Sequence, residues 1–278
     1  MPASVTPLTP AVGVEISGPS GSEFVDPEAA EACRAALDAH GVVVYREADI
    51  GDDDLIAFSR LLGEVAVVPT GEHERPEIQT ITMDPLKTNA LLVSYRQGNF
   101  LWHIDGATQE VPQKATLLAA REVDPAGGDT EFATTYAAYE ALTDAEKTEL
   151  EGLRVVHSFA AAQHRANPDA GDEERASWER VPTREHPLVW SRRDGRKSLL
   201  LGATAAEVVG RSTEEGRALL DRLLDWATQP RFVCRHHWRK GDLVTWDNTG
   251  MLHRALPFEP TSLRLLHRTT LVGDEAVA

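Results

Sequence analysis

An imidazole and a carboxylate stand two residues apart in the segment NFLWHIDG, residues 99–106. On a β-strand, successive side chains point to opposite faces, so His103 and Asp105 would share one face while Ile104 packs behind them. Two side chains that can bind a metal would then lie on one patch. An H-x-D triplet also occurs by chance, so the triplet alone is weak support for a metal site.

Three later features change the interpretation of this pair. His253 follows a predicted strand and turn in WDNTGMLHRALPF, Arg264 comes eleven residues after it, and Thr130 ends the turn sequence GGDT. These residues occur within an ordered series of segments: VGVEISG, GVVVYR, LLGEV, WHID, PAGGDTEFATTYAAYEAL, GRKSLLLG, GDLVTWDN and HRTTLVG. The series covers nearly the whole chain and resembles the iron(II)- and 2-oxoglutarate-dependent dioxygenases of the taurine and 2,4-dichlorophenoxyacetate type.

The resemblance implies a metal site and a cosubstrate site. Non-haem iron(II) oxygenases bind the metal through two histidines and one carboxylate and leave the other positions open. By resemblance, His103, Asp105 and His253 are the iron ligands and the catalytic residues, and 2-oxoglutarate and O2 take the open positions. Arg264 and Thr130 would bind the far carboxylate of 2-oxoglutarate through a planar double donor and a hydroxyl.

The implied reaction converts 2-oxoglutarate to succinate and CO2 and removes a hydrogen atom from a bound substrate, usually with hydroxylation. Halogenating relatives have a small residue in place of the carboxylate, so Asp105 favours hydroxylation. Desaturation, cyclisation and oxidative cleavage of a carbon–heteroatom bond are alternatives with the same cofactors. A non-catalytic jelly-roll protein that binds a metal or ligand is another, as is a zinc hydrolase, which needs neither Thr130 nor Arg264.

The substrate side is predicted from four residues. Arg268 lies four residues after Arg264 with the same strand parity, and in several relatives this arginine binds the anionic head of the substrate. The resemblance therefore implies a small substrate with a sulfonate, sulfate, carboxylate or phosphate group; a pair with a nearby acid is the alternative for Arg268. Asn99 matches a substrate-facing asparagine of the taurine enzymes, whereas Trp102 and Phe159 could line the pocket or belong to the core.

One departure from the family pattern concerns taurine itself. The taurine enzymes carry a sulfonate-binding histidine in the loop after LLGE. This chain has Val67 and Val68 around that position and His73 further on. The departure argues against taurine and favours a more apolar pocket.

Composition limits the class of protein. The 278 residues are 42% hydrophobic, enough for one catalytic domain over residues 1–278. A net charge of −16 argues against a nucleic-acid partner. The two cysteines are far apart, and no segment resembles a signal peptide or a membrane span, so we expect a soluble cytoplasmic protein. The oligomeric state stays open, although relatives often form dimers or tetramers.

The element pattern predicts a mainly β fold with flanking helices: a double-stranded β-helix, also called a jelly roll, of the cupin-like kind. Helices are predicted over Pro27–His40, from about Asp53 to Leu62, and within YAAYEALTDAEKTELEGL and STEEGRALLDRLLDWAT. Strands are predicted at VVVYR, ALLVSYR, NFLWHIDG, KATLLAAREV and DLVTWDN, among others. The polar stretch at about 160–190 predicts either a lid over the site or a disordered insertion.

Overall fold

The computed structural model describes residues 4–67, 72–259 and 262–278. Its strands are β1 (Val5–Pro7), β2 (Val14–Ile16), β3 (Val42–Tyr45), β4 (Gln79–Ile81), β5 (Ala115–Glu122), β6 (Thr130–Thr134), β7 (Arg154–His157), β8 (Arg184–Pro187), β9 (Val189–Ser191), β10 (Lys197–Leu199), β11 (Ala205–Val208), β12 (Val233–His236), β13 (Leu243–Asp247), β14 (Met251–Ala255) and β15 (Leu265–Thr270). Its α-helices are α1 (Pro27–His40), α2 (Asp52–Leu62), α3 (Ala90–Arg96), α4 (Thr135–Glu140), α5 (Asp144–Leu150), α6 (Phe159–Ala166), α7 (Asp172–Trp178) and α8 (Thr213–Ala227). Short 3-10 turns cover Gly21–Val25, Gln97–Phe100 and Pro230–Phe232.

Two sheets that pack face to face position the site. The larger has the strand order β1-β2-β3-β13-β5-β15-β4, and the smaller has the order β12-β6-β14. Neighbouring strands in the smaller sheet are antiparallel, as are those of the larger sheet apart from β2 and β3. This arrangement, with helices on the outside, is the predicted jelly roll.

The strands of the large sheet bury both of their faces. On the inner face, Leu118 of β5 and Trp246 of β13 join a core that includes Phe132 of the small sheet, whose ring centroid lies 5.4 Å from that of Trp246. On the outer face, Leu117 packs with Phe58 of α2 in a second core. Because side chains alternate along a strand, each strand of this sheet separates two different environments.

Helices α1 and α2 cover the outer face and begin and end close to where the sequence predicts. The Asp26 side chain accepts a hydrogen bond from the Glu28 amide at the start of α1, and Gly41 ends the helix with φ 73°. Helix α2 ends at Leu62 before Gly63, one residue longer at its start than predicted. None of the described helices is long and apolar enough to cross a bilayer.

Three element predictions are wrong. ALLVSYR forms helix α3 instead of a strand, because the Asn89 side chain accepts from the Leu92 amide and Ala and Leu favour a helix. NFLWHIDG is a 3-10 turn followed by a single β-bridge at His103. The helix predicted within YAAYEALTDAEKTELEGL is split into α4 and α5, because a Thr143–Glu146 capping box starts a second helix.

The polar stretch at about 160–190 forms regular elements. It contains most of α6, helix α7 and strand β8, and Trp178 anchors α7 with 5% of its surface exposed. Its role as a lid or an insertion stays a prediction. The segment lies beside α3, since Asn167 Nδ2 donates to the carbonyl of Ser94 at 3.1 Å.

Candidate active site

His103 is fixed by its main chain. It forms an isolated bridge with His253 of β14, in which each residue donates its amide to the carbonyl of the other at 3.0 and 2.9 Å. On the other side, the Ala203 amide donates to the Trp102 carbonyl at 2.7 Å. Gly202 allows this approach: its φ is 108°, and a Cβ there would lie 2.9 Å from the His103 Cα.

The His103 side chain has one free ring nitrogen. Its Nδ1 lies 2.8 Å from the carbonyl oxygen of Leu101, so Nδ1 carries the proton and donates it. The lone pair then resides on Nε2, the atom that faces Asp105. Burial lowers the pKa of this imidazole, which keeps it neutral and able to bind a metal.

His253 lies beside His103, with ring centroids 4.1 Å apart. It is also packed near Trp246, at a centroid distance of 4.7 Å. Burial first, and then the neighbouring His103, lowers the His253 pKa to about 3. Two neutral imidazoles that cannot readily take up protons are therefore held side by side.

Asp105 completes the cluster, with its Oδ1 3.9 Å from His103 Nε2 and its Oδ2 3.5 Å from His253 Nε2. Burial opposes its charge, but the Arg268 guanidinium and the two imidazoles outweigh that cost and hold the pKa of this carboxyl below its usual range. One ligand atom from each of the three residues lies within 4.8 Å of the others. A neutral His–His pair with an ionised carboxylate suits iron(II) or manganese(II).

Arg264 lines a cavity that also contains His103 and His253. Only 4% of the arginine is exposed, and its Nη2 donates to the Gly128 carbonyl at 3.1 Å. No described carboxylate lies within ion-pair distance of it, and burial lowers its pKa to about 10. Gly128 has φ 78°, and a Cβ there would lie 2.7 Å from Arg264 Nε. A buried cation without a counterion fits the carboxylate of a cosubstrate.

Thr130 lines the same cavity as Arg264. Its Oγ1 accepts a hydrogen bond from Trp238 Nε1 at 3.0 Å, so its own proton is free to be donated. An oxygen ligand bound at Arg264 would meet a donor from each residue. Arg264 and Thr130 thus fit the far carboxylate of 2-oxoglutarate, the cosubstrate that the sequence resemblance implies.

Arg268 is paired with an acid, and the acid is Asp105. Its Nη2 lies 2.8 Å from Asp105 Oδ2 and 3.2 Å from Gln113 Oε1, and its Nε donates to Thr270 Oγ1 at 3.2 Å. The guanidinium also lines the cavity that contains the two histidines. Substrate binding by Arg268 stays a prediction, since a substrate anion would have to share or replace the contact with Asp105.

One cavity between the two sheets brings together most of the predicted site residues. Its wall includes six of them: Asn99, His103, Thr130, His253, Arg264 and Arg268. A second cavity shares Asn99 and His103 with the first and continues past Asp105 towards α3 and α6. The first cavity therefore contains both histidines, Arg264 and Thr130, and Asn99 and His103 connect it to the second.

Of the other residues predicted on the substrate side, some line a cavity and some do not. Asn99 lines both cavities, and Phe159 of α6 lines the second, with its ring stacked on that of Tyr95 at 5.7 Å. Trp102 belongs to the hydrophobic core, with the Arg254 guanidinium 4.6 Å from its ring, and lines neither cavity. Val67 is 60% exposed, and Val68 lies outside the described residues.

Sequence reasoning missed the buried groups around Asp105. Thr116 Oγ1 donates to Asp105 Oδ2 at 2.9 Å, and Asn248 Nδ2 donates to Thr116 Oγ1 at 2.9 Å. Asn248 belongs to the WDN segment that the resemblance already includes. Its place in that segment could have indicated a role near the metal ligands. Nothing in the sequence around Thr116 distinguishes it from the other residues of an apolar strand.

A second group of metal-binding residue types lies on the outer face of the large sheet. Asp52, His73 and His267 also place ligand atoms within 4.8 Å of one another. Arg121 is inside this group: it donates to Asp52 Oδ1, which also accepts from His267 Nδ1. His73, the histidine nearest to the loop after LLGE, therefore faces away from the cavity.

The chain matches a known protein family over most of its length. The family described as "Taurine catabolism dioxygenase TauD, TfdA family" matches residues 4–270. The alpha-ketoglutarate-dependent 2,4-dichlorophenoxyacetate dioxygenase of Burkholderia sp. (strain RASC) is 36% identical over 251 residues, 85% of this chain and 83% of that protein. The alpha-ketoglutarate-dependent sulfate ester dioxygenase of Pseudomonas putida is 29% identical over 98% of this chain and 90% of its own length.

One solved structure is similar to this protein over the full length of both chains. The crystal structure of AAD-2 in complex with Mn(II) and N-oxalylglycine covers 100% of both chains, with a TM-score of 0.83 and 31% sequence identity. The match includes both sheets and the helices on either side of them.

Proposed function

The chain belongs to the taurine catabolism dioxygenase TauD, TfdA family, and we propose that it hydroxylates a small anionic organic molecule as an iron(II)- and 2-oxoglutarate-dependent dioxygenase, with release of succinate and CO2. The observation that carries this proposal is the cluster of His103, Asp105 and His253 beside a cavity that also contains Arg264, a buried cation with no ion pair among the described residues. A zinc hydrolase would have no use for that cation.

In this proposal, His103, Asp105 and His253 hold the metal. The free lone pair of His103 Nε2 and the neutral ring of His253 supply two nitrogen ligands, and the ionised Asp105 supplies the third group. When bound, iron and 2-oxoglutarate together reduce O2 and supply the oxidising equivalents for attack on a C–H bond. The protein contributes the open coordination positions and the fixed orientation of the ligands.

Arg264 and Thr130 orient the cosubstrate. The guanidinium forms charge-assisted hydrogen bonds to the far carboxylate, and the Thr130 hydroxyl donates to the same group. Because Trp238 occupies the Thr130 acceptor site, the hydroxyl proton points away from the indole. Arg264 and Thr130 are buried, which strengthens both interactions by excluding water.

The substrate class follows from charge and from the second cavity. Arg268 is the cation nearest to the metal-binding cluster, and we propose that it also contacts the anionic group of the substrate. The rest of the substrate would extend along Tyr95, Ile104 and Phe159, which are apolar or aromatic. An aryloxy acid fits this combination best, and a relative that is 36% identical bears the name of such a substrate.

We propose that α6 and α7 act as a lid over that cavity within a single catalytic domain, residues 1–278. Gln163 Nε2 donates to the Tyr95 carbonyl at 3.3 Å, and Ser94 bonds to Glu174. These contacts join the lid to α3 beside the substrate side of the site. Two buried free thiols, Cys33 and Cys234, support the expected cytoplasmic location.

The metal and cosubstrate roles are tested by anaerobic titration of the protein with Fe(II) and 2-oxoglutarate. Chelation of the cosubstrate at iron should give a weak visible charge-transfer band, which His253→Ala should lose and His267→Ala should retain. A protein that shows no band and releases no succinate in the presence of O2 would refute the proposed function.

The substrate class is tested by succinate release above the rate without substrate. We expect 2,4-dichlorophenoxyacetate and related aryloxy acids to give the largest increase, with alkyl sulfates, sulfonates and amino-acid derivatives as competing classes. The matched control is the carboxamide of the best acid, which has the same shape and no charge. Equal turnover of acid and amide would refute recognition of an anion. Mass spectrometry of the product separates hydroxylation from desaturation, cyclisation or cleavage.

A further inference from the structure

The two oxygens of Asp105 have different surroundings, and the difference lies in residues outside the ligand set. Oδ2 accepts from Thr116 Oγ1 at 2.9 Å and from Arg268 Nη2 at 2.8 Å. Oδ1 faces His103 Nε2 at 3.9 Å and accepts no hydrogen bond from the described residues. One oxygen is therefore engaged by two donors, while the other is left for a metal.

The direction of each hydrogen bond can be assigned. A carboxylate oxygen accepts, so the Thr116 hydroxyl donates to Asp105 Oδ2. The Thr116 oxygen then has its lone pairs free, and Asn248 Nδ2 donates to it at 2.9 Å. Thr116 and Asn248 are both fully buried, so water cannot replace either partner.

From this geometry we infer that Thr116, oriented by Asn248, is a positioning residue for the metal: it holds Asp105 Oδ2 so that Oδ1 is the ligand. This inference rests on the proposed function. Thr116 lies on the inner face of β5, paired with Trp246 of β13 and Thr270 of β15, so its Cβ is fixed by two neighbouring strands. A rigid strand is a better support for a ligand than a loop, and Asp105 itself is in a turn.

The chain offers a matched control. Thr245 lies on β13, next to β5, is fully buried, and its hydroxyl has no hydrogen-bond partner among the described residues. Thr116→Val and Thr245→Val are the same chemical change in the same sheet. Only the first removes a donor from a metal ligand.

The test measures binding of Mn(II) without turnover, from the electron paramagnetic resonance signal of the free ion. Loss of an outer-shell partner typically weakens metal binding by about 10- to 100-fold, and we expect a rise of that size in the Kd of Thr116→Val. Thr116→Ser, which keeps the hydroxyl, should bind Mn(II) nearly as tightly as the parent. Thr245→Val should bind as the parent does.

A spectroscopic measurement separates positioning from a general loss of packing. The visible absorption of bound Co(II) depends on the number and geometry of its ligands, so Thr116→Val should change the spectrum and Thr116→Ser should restore it. Asn248→Leu, which removes the donor to Thr116, should also weaken Mn(II) binding, and it provides the test if Thr116→Val does not fold.

The outcomes are distinct. A parent protein that binds no Mn(II) would overturn the metal site and with it both the proposed function and this inference. A parent that binds Mn(II), together with folded variants at Thr116 or Asn248 that bind it equally tightly, would overturn the inference alone.

Discussion

Two clusters of the same residue types lie on opposite faces of the large sheet. The inner cluster is His103, Asp105 and His253, and the outer cluster is Asp52, His73 and His267. In both clusters, one ligand atom from each residue lies within 4.8 Å of the others. They differ in whether their ligand atoms are already engaged.

The outer cluster is saturated by hydrogen bonds. Asp52 Oδ1 accepts from His267 and Arg121, and its Oδ2 faces His73 Nε2 at 3.2 Å. His73 Nδ1 accepts the Arg75 amide at 3.0 Å, so the proton of the neutral ring is on Nε2, where a metal would need a lone pair. Arg121 also balances the charge of Asp52, as a metal ion would otherwise do.

The inner cluster keeps its ligand atoms free. The proton of His103 is on Nδ1, away from the cluster, and one oxygen of Asp105 has no donor among the described residues. Proximity of histidine and aspartate alone therefore does not define a metal site. Free lone pairs, and the hydrogen bonds that keep them free, do.

The largest expected effect is on metal binding. His103→Ala should weaken Mn(II) binding by more than about 100-fold, because loss of a ligand costs more than loss of an outer-shell partner. His267→Ala should leave the Kd unchanged. The free-ion signal of Mn(II) measures both, and equal losses in the two variants would mean that the clusters do not differ as we describe.

The second prediction compares two arginines. Arg264→Gln should raise the KM for 2-oxoglutarate by about 10- to 100-fold, since hydrogen bonds to charged groups contribute about 1.5–3 kcal/mol. It should also raise the Tm of the ligand-free protein, because it removes a buried cation that makes no ion pair with the described residues. Arg121→Gln should leave the KM unchanged and lower the Tm, since Arg121 is paired with Asp52.

Steady-state succinate release and thermal melts measure these two quantities. Arg264→Lys is the control, because it keeps the charge and loses the planar double donor. If Arg264→Gln lowered the Tm as Arg121→Gln does, Arg264 would be part of the structural framework and not an open binding group.

The smallest effect concerns pH. Burial opposes ionisation of Asp52, but the hydrogen bonds from His267 and Arg121 outweigh it and hold the Asp52 pKa below its usual value. This group therefore stabilises the protein above about pH 4, the unfolded value, and that contribution is lost as the pH falls further. We expect Asp52→Asn to reduce the difference in unfolding free energy between pH 6 and pH 3 by about 1 kcal/mol, a modest value for a partly exposed pair.

Urea unfolding at the two pH values measures this change. Asp53→Asn is a suitable control, because Asp53 is in the same helical turn and its side chain is 76% exposed. An identical pH dependence in the parent and Asp52→Asn would show that the outer cluster contributes nothing to acid stability.

The sequence predicts the composition of the inner cluster better than its geometry. His103, Asp105 and His253 were selected by motif, whereas the argument from strand parity is wrong: His103 makes one bridge, and Asp105 is in a turn. The three residues meet because His103 pairs with His253 at the edge of the small sheet. Motifs specify residue types in order, but the convergence depends on pairing between distant segments.

Other features could not be read from one sequence. The ALLVSYR segment has residues that suit a strand or a helix, and a single cap at Asn89 decides between them. The bond from Thr116 to Asp105 joins side chains from a strand and a turn and has no local signal. The roles of the site residues, the single-domain organisation and the oligomeric state stay predictions, which the experiments above and a measurement of mass in solution address.

The bridge between His103 and His253 has a consequence for how the metal arrives. Both of its hydrogen bonds join main-chain atoms, so the pairing of the two histidines depends on no side chain and on no ion. The strand pairings around it likewise need no metal. We therefore expect metal exchange without unfolding, unlike in small domains whose folding is driven by the ion.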